Sequence, residues 1–248
     1  MPDPKRFSLD WFLLIPLMLK RKRDAGEFLP FAPKRKISYS QFGEDIIVSS
    51  IFWYLRIPTP FYLDVGAFAP KFLSNTFYFY QRGSRGVCVE PDPARLSAFR
   101  RVRRRDLCLS VGVGAEDKDT VPFYVLSEPS LSTFDEAGAL QHKTGGKVSI
   151  RAVISVPVYS LNTLIEKYCP RCPDFLSVDV EGLDMEILQA MDFERYRPAV
   201  ICVETIDFYT QEKQFTVVNF LKTKGYRVQA DTVINTILVD EQAWAARK

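Results

Sequence analysis

The chain has 248 residues, 47% hydrophobic and 25% charged, with a formal net charge of +3. That is ordinary globular composition, suited to one domain of about 200 residues plus a short appendage, with no room for two full domains. The charge is uneven: residues 1–40 carry nine Lys or Arg against four acids, +5, which leaves −2 for the rest, so bulk charge gives no support to a nucleic-acid partner.

Residues 1–39 read as a leader and linker, and residues 40–248 as the main domain. Residues 11–19 form a nine-residue apolar run, interrupted by Pro16 and followed by Lys20, Arg21, Lys22 and Arg23. The run is too short to span a bilayer. Its charges lie on the wrong side for a secretory signal, and no small-residue cleavage site follows. Two readings stand. Either the leader is a helix packed on protein, or residues 8–23 are an interfacial anchor with the apolar side chains in the lipid boundary and the cations on anionic headgroups. A cytoplasmic location, peripheral to the inner face of a membrane in the second case, is expected. Oligomeric state is not legible.

From residue 40 onward a polar start, Ser40-Gln41-Phe42-Gly43-Glu44-Asp45, precedes a helical run over 46–55 that Pro58 and Pro60 end. Strands are expected at 61–65, 86–90 and 107–111. Helices are expected at 75–81, opened by Ser74 or Asn75, and at 94–104, with arginines on its wet face. This alternation is the signature of a parallel doubly wound sheet. Residues 120–160 break the rhythm. Strands at 121–126 and 153–159 flank a polar stretch, read as an inserted hairpin or lid. The alternation resumes with helices at 161–168, 185–191 and 211–224 and strands at 175–180 and 199–204. Strands at 226–229 and 232–239 are joined by too short a link for a parallel crossover, so they should form an antiparallel hairpin.

Three strand ends carry chemistry. Asp64-Val65-Gly66 closes the first strand, where a glycine lets backbone approach a ligand; a strand-ending turn is the plainer alternative. Glu90, followed by Pro91, closes the second, at the spacing where a carboxylate receives a ribose diol. Ser177-Val178-Asp179-Val180-Glu181-Gly182 closes a later strand, with Asp179 and Glu181 two apart and so on one face. They can orient a substrate hydroxyl, take its proton or hold a divalent cation; helix capping and cofactor contact are the alternatives. His142, the one imidazole, falls in the expected lid; a general-base role and a solvated loop position both remain open. Cys169 and Cys172 form a lone CxxC without a second ligand pair, so no metal site is expected. The arginines of 100–105 read as a solvated face.

Taken together, Gln41-Phe42-Gly43-Glu44-Asp45, Leu63-Asp64-Val65-Gly66-Ala67, Ser74-Asn75-Thr76, Gly86 to Pro93 and Phe175 to Gly182, in this order, resemble the FkbM-type methyltransferases over most of the chain. The resemblance implies an α/β, Rossmann-like class I methyltransferase fold: a mostly parallel seven-stranded sheet with a C-terminal antiparallel hairpin. It implies S-adenosylmethionine as donor and transfer to oxygen on a sugar, glycolipid or natural-product acceptor. It assigns Asp64, Gly66, Ser74, Asn75, Glu90, Pro91 and Asp179 to the cofactor. It sets Asp179 and Glu181, with His142 as a further candidate, at the methyl-transfer zone. In this sequence the loop after the first strand is Gly66-Ala67-Phe68-Ala69-Pro70, with Phe68 and Pro70 where further glycines often stand. The rival readings are a nicotinamide-dependent oxidoreductase, a non-catalytic module docked through the leader, and a nucleic-acid methyltransferase.

Overall fold

The computed structural model describes residues 36–144, 148–180, 182–206, 210 and 212–247. The leader expected at residues 8–23 lies outside the described residues. Residues Ser38–Lys248 form one compact unit.

The unit is organised by a seven-stranded sheet in the order β3-β2-β1-β7-β8-β10-β9. Its strands are β1 (Tyr62–Val65), β2 (Gly86–Val89), β3 (Leu107–Leu109), β7 (Phe175–Val178), β8 (Val200–Glu204), β9 (Tyr226–Asp231) and β10 (Asn235–Asp240). β3, β2, β1, β7 and β8 are parallel, whereas β10 runs antiparallel to both β8 and β9. This is the expected mostly parallel sheet closed by an antiparallel hairpin. β1, β2 and β7 are buried at every position, as mainly apolar strands are when helices cover both faces of a sheet. One core layer joins Leu63, Val65, Val87, Val89, Leu176 and Val178 to α5 (Leu161–Tyr168), α6 (Asp184–Gln189) and α7 (Thr216–Thr223). The other joins Tyr62, Cys88, Phe175 and Cys202 to α1 (Glu44–Leu55), α2 (Phe77–Gln81) and α3 (Leu96–Val102).

Some boundaries moved. α1 begins two residues earlier than expected, at Glu44, and ends as expected at Leu55, where Arg56 adopts a left-handed conformation at φ 58°. The expected 107–111 strand stops at Leu109, and a separate two-residue strand, β4 (Gly112–Val113), follows outside the large sheet. β4 pairs in parallel with β6 (Ile150–Tyr159), which pairs antiparallel with β5 (Lys118–Leu126). The insertion is therefore a three-stranded sheet with a helix, α4 (Glu136–Thr144), between β5 and β6, not a bare hairpin. A short final helix, α8 (Glu241–Ala246), was not expected; the Asp240 carboxylate starts it by accepting from Ala243 N at 3.1 Å.

One expectation is corrected outright. Arg103 is not on a wet helix face. The helix stops at Val102, and Arg103 turns inward with no exposed surface. Its Nε donates to Asp106 at 2.7 Å, its Nη2 to Thr76 Oγ1 at 2.8 Å, and its Nη1 lies 3.7 Å from Asp64. Arg100, Arg101, Arg104 and Arg105 are exposed as expected.

Candidate active site

A cleft of about 380 Å³ opens at the carboxyl ends of β1, β2, β7 and β8, where doubly wound sheets bind their ligands. Val65, Gly66, Val89, Glu90, Pro91, Asp179, Val180 and Glu204 line it from the sheet side. Val111, Val113, Phe123 and residues 129–134 line it from the insertion. The insertion thus supplies a wall of the cleft.

Gly66 sits at the centre, with φ +77°. Its N–H and that of Ala67 donate to the Val89 carbonyl at 3.1 and 3.0 Å, so the loop is pulled against β2. From the other side Asp179 N donates to the Val65 carbonyl at 3.1 Å. A side chain at Gly66 would place Cβ 1.8 Å from the Asp179 carbonyl oxygen, and the backbone there has no slack. Gly66→Ala should therefore displace the Asp179 turn and abolish measurable S-adenosylhomocysteine binding by calorimetry. Wild-type affinity in that variant would show that the close approach does not matter.

Glu90 follows the last residue of β2 and is 6% exposed. Asp92 N donates to its Oε1 at 2.9 Å, and Arg95 Nε stands 4.0 Å from the same oxygen. Arg95 also donates to the Phe68 carbonyl at 2.9 Å and lies over the Phe68 ring at 4.3 Å, which ties the loop after Gly66 to the loop after Glu90. Burial pushes the Glu90 carboxyl up to about 7, against the opposing pull of the Asp92 N–H and Arg95. The sign of the linkage follows. A carboxyl raised in the folded state binds more protons folded than unfolded. Its contribution is favourable below the ordinary carboxylate range and is lost as pH rises through about 7. At pH 8 Glu90→Gln should raise Tm by about 2–4 °C while weakening donor binding at least tenfold. An unchanged or lower Tm with unchanged affinity contradicts this placement.

The structure does not bring every expected residue to the cleft. Asp64, Ser74 and Asn75 are absent from its lining, because their polar atoms are engaged behind it. Asp64 is 4% exposed; it accepts from the Thr76 hydroxyl and faces Arg103. Burial raises its carboxyl, and Arg103 and Thr76 counter that. Ser74 Oγ accepts from Phe77 N at 3.1 Å and starts α2. Asn75 Nδ2 donates to Ser177 Oγ at 3.0 Å, fastening that turn to β7. These three support the Gly66 loop from behind. Gly66, Glu90, Pro91 and Asp179 do meet at the cleft. Glu181 lies outside the described residues, and so does the side chain of His142, whose backbone falls in α4.

Glu204, a further acidic strand end of the sequence, closes β8 and lines the cleft beside Asp179. One contributor was missed. Asp184 is buried at the start of α6 and accepts from Val180 N at 3.4 Å, which fixes the turn after Asp179. Burial pushes its carboxyl up to about 6. An aspartate opening a helix was the sign that could have found it. Cys169 and Cys172 are free thiols held above the usual range by burial, Cys169 up to about 12, so neither is an activated nucleophile. Among the described residues no cluster of three or more His, Cys, Asp or Glu is placed to hold a metal ion, and no helix is long and apolar enough to cross a membrane.

A model of the methyltransferase FkbM domain matches residues 64–228. The chain belongs to the FkbM methyltransferase family. The matched span runs from the end of β1 into β9 and includes the insertion. No curated protein sequence matches. Among solved structures, the methyltransferase FkbM from Methylobacillus flagellatus KT is similar at 15% identity and TM-score 0.43, over 73% of this chain and 43% of that one. This chain thus spans less than half of that protein's length. The precorrin-6y C5,15-methyltransferase from Geobacter metallireducens GS-15 is similar at 14% identity and TM-score 0.42, over 85% and 93% of the two chains. The O-methyltransferase from Bacillus cereus, solved with S-adenosylhomocysteine, is similar at 12% identity and TM-score 0.39, over 94% and 92%.

The chain carries the FkbM methyltransferase domain, and features of its cleft are of the kind that S-adenosylmethionine, the methyl donor of that family, needs. Glu90 offers carboxylate acceptors of the kind a ribose diol needs. Val65, Val89, Val111 and Val113 offer an apolar wall of the kind a nucleobase needs. Gly66 leaves the loop backbone bare.

Proposed function

We propose that this FkbM-type enzyme methylates a hydroxyl group on a sugar, glycolipid or natural-product acceptor. The observation that carries the reading is the meeting of three carboxylate-bearing strand ends with a polar and aromatic insertion around one cleft. Glu90 lies at one side and Asp179 and Glu204 at the other, with Phe123, Ser130, Ser132, Thr133 and Phe134 facing them. Hydroxyl and aromatic side chains together suit a polyhydroxylated acceptor, which presents both O–H groups and apolar ring faces.

S-adenosylmethionine supplies an electrophilic methyl group when bound. In this reading Glu90 and Pro91 hold the ribose side of the donor, and the Gly66 loop lies along it. Asp179 accepts the proton of the acceptor hydroxyl and orients its oxygen. The insertion closes the cleft from above and keeps water from competing. Most of the acceleration comes from holding the two reactants at attack distance, with proton removal adding to it. Asp179 is preferred as the proton acceptor because it lines the cleft beside Gly66, one residue past the end of β7.

The test is methyl transfer from labelled donor to a panel of glycans, lipids and small hydroxylated metabolites, with product analysis to locate the new methyl group. A methyl ether on a hydroxyl supports the reading. Labelled product with the methyl on nitrogen or carbon contradicts it.

A further inference from the structure

The strongest single-sign feature of the domain lies at the end opposite the cleft. Residues 65–89 and 93–105 contain no Asp or Glu. Within them Arg82, Arg85, Arg100, Arg101, Arg104 and Arg105 are all exposed. They occupy the C-terminal ends of α2 and α3 and the turns that lead into β2 and β3. Those turns are at the starting ends of the parallel strands, whereas the cleft is at their carboxyl ends. Two of the six are fixed by aromatic partners. The Arg82 guanidinium lies 3.4 Å from the Tyr78 ring centre and donates to the Tyr78 carbonyl at 3.1 Å. Arg105 lies 3.9 Å from the Tyr80 ring centre and donates to the Tyr80 carbonyl. Stacking orders these cations without cancelling their charge. Asp106, the nearest acid in sequence, is already engaged by Arg103, Tyr62 and Gly86 N. No described carboxylate forms an ion pair with any of the six.

The same end carries exposed aromatic rings. Trp53 and Tyr54, on the last turn of α1 where the chain turns into β1, are 70% and 57% exposed and meet edge to face at 5.1 Å. Trp244 lies 6.0 Å from Tyr54, with Arg227 and Arg247 over its ring at 4.3 and 3.9 Å. Cations beside tryptophan and tyrosine are the chemistry of a membrane–water interface, where amphipathic rings sit at headgroup level and each cation near an anionic surface strengthens binding roughly fivefold.

We infer that this arginine-rich end is a docking face for an anionic phospholipid bilayer. A polynucleotide substrate would need its cations to lead into the cleft. Here the cleft is rimmed by Glu90, Asp179 and Glu204, and the cations sit at the far end. Stable membrane association takes two signals. The leader sequence holds a second candidate in the apolar run of residues 11–19 followed by Lys20, Arg21, Lys22 and Arg23. Docked in this way, the domain presents its cleft to the aqueous side, which favours the soluble acceptors of the proposed function over a glycolipid held in the same bilayer. The inference does not depend on which atom of the acceptor is methylated.

The experiment is co-sedimentation of the full chain with phosphatidylcholine vesicles, with and without phosphatidylglycerol. The expected result is at least tenfold stronger binding to the anionic vesicles, weakened by salt. Replacing Arg85, Arg100, Arg101 and Arg104 together by Gln should lower that binding at least twentyfold. S-adenosylhomocysteine affinity, which reports folding, should stay at the wild-type value. Trp53→Ser with Tyr54→Ser should weaken vesicle binding severalfold at constant charge. Three results overturn the inference: no preference for anionic vesicles, wild-type binding by the fourfold variant, or tighter binding to a single-stranded RNA oligonucleotide than to the vesicles at equal salt.

Discussion

Asp179→Asn is expected to cut turnover by at least a hundredfold while leaving S-adenosylhomocysteine affinity within about threefold, the range for loss of a positioned proton acceptor. The reasoning is geometric. Asp179 follows the last residue of β7, and its backbone is pinned on two sides. Its N–H donates to the Val65 carbonyl at 3.1 Å, and its carbonyl packs against Gly66. Asparagine keeps the size, so those backbone contacts and the donor loop they support should survive. What is lost is a charged acceptor at the cleft wall. The comparison to make is kcat against donor affinity in the same preparation. A fall in both together would mean that Asp179 holds the donor, and unchanged turnover would remove it from the chemistry altogether.

Arg103→Leu should produce the largest loss of stability. The guanidinium has no exposed surface and serves Asp106, Thr76, Ser74 and Asp64 together. It also lies 5.3 Å from the Tyr62 ring centre and 5.5 Å from that of Tyr80. Leucine would leave two buried carboxylates, Asp64 and Asp106, without their cation. Breaking a buried pair in this manner costs about 3–5 kcal/mol, or a fall in Tm of about 10 °C or more in a domain of this size. Lysine should rescue little, because one ammonium cannot reproduce the planar fork that reaches both sides. Asp106→Asn placed on the Arg103→Leu background should recover part of the loss, since it removes one uncompensated charge. Thermal unfolding of the three variants decides it: a loss under about 1 kcal/mol for Arg103→Leu would mean the buried network contributes little.

The sequence showed the sheet clearly because β1, β2 and β7 are short, mainly apolar runs at regular spacing in an alternating α/β chain, interrupted only by Asp64 and Ser177. Glu90 was legible for the same reason: an acid at the end of a buried strand has few places to go except the strand-end cleft. The tertiary partnerships were hidden. Arg103 looks like its neighbours in a run of arginines, and what distinguishes it is that α3 ends one residue earlier and that Asp64 and Thr76 wait across the fold. Asp64 was read as a ligand of the cofactor because its position in the motif is right. Strand alternation turns its side chain to the α1–α2 layer, next to Thr76, whereas Val65 and Gly66 reach the cleft. The insertion was recognised as an interruption, but β4 has only two residues, too few for any periodicity, so its separate sheet could not be anticipated.

The central claim is that the cleft at the ends of β1 and β2 binds the methyl donor through Glu90. Isothermal titration of the full chain with S-adenosylhomocysteine, repeated with Glu90→Gln and with NAD as the competing dinucleotide, tests it most directly. Saturable binding at one site, weakened at least tenfold in Glu90→Gln, with no heat from NAD, is the predicted result. Binding of S-adenosylhomocysteine that ignores Glu90, or preferential binding of NAD, would contradict it.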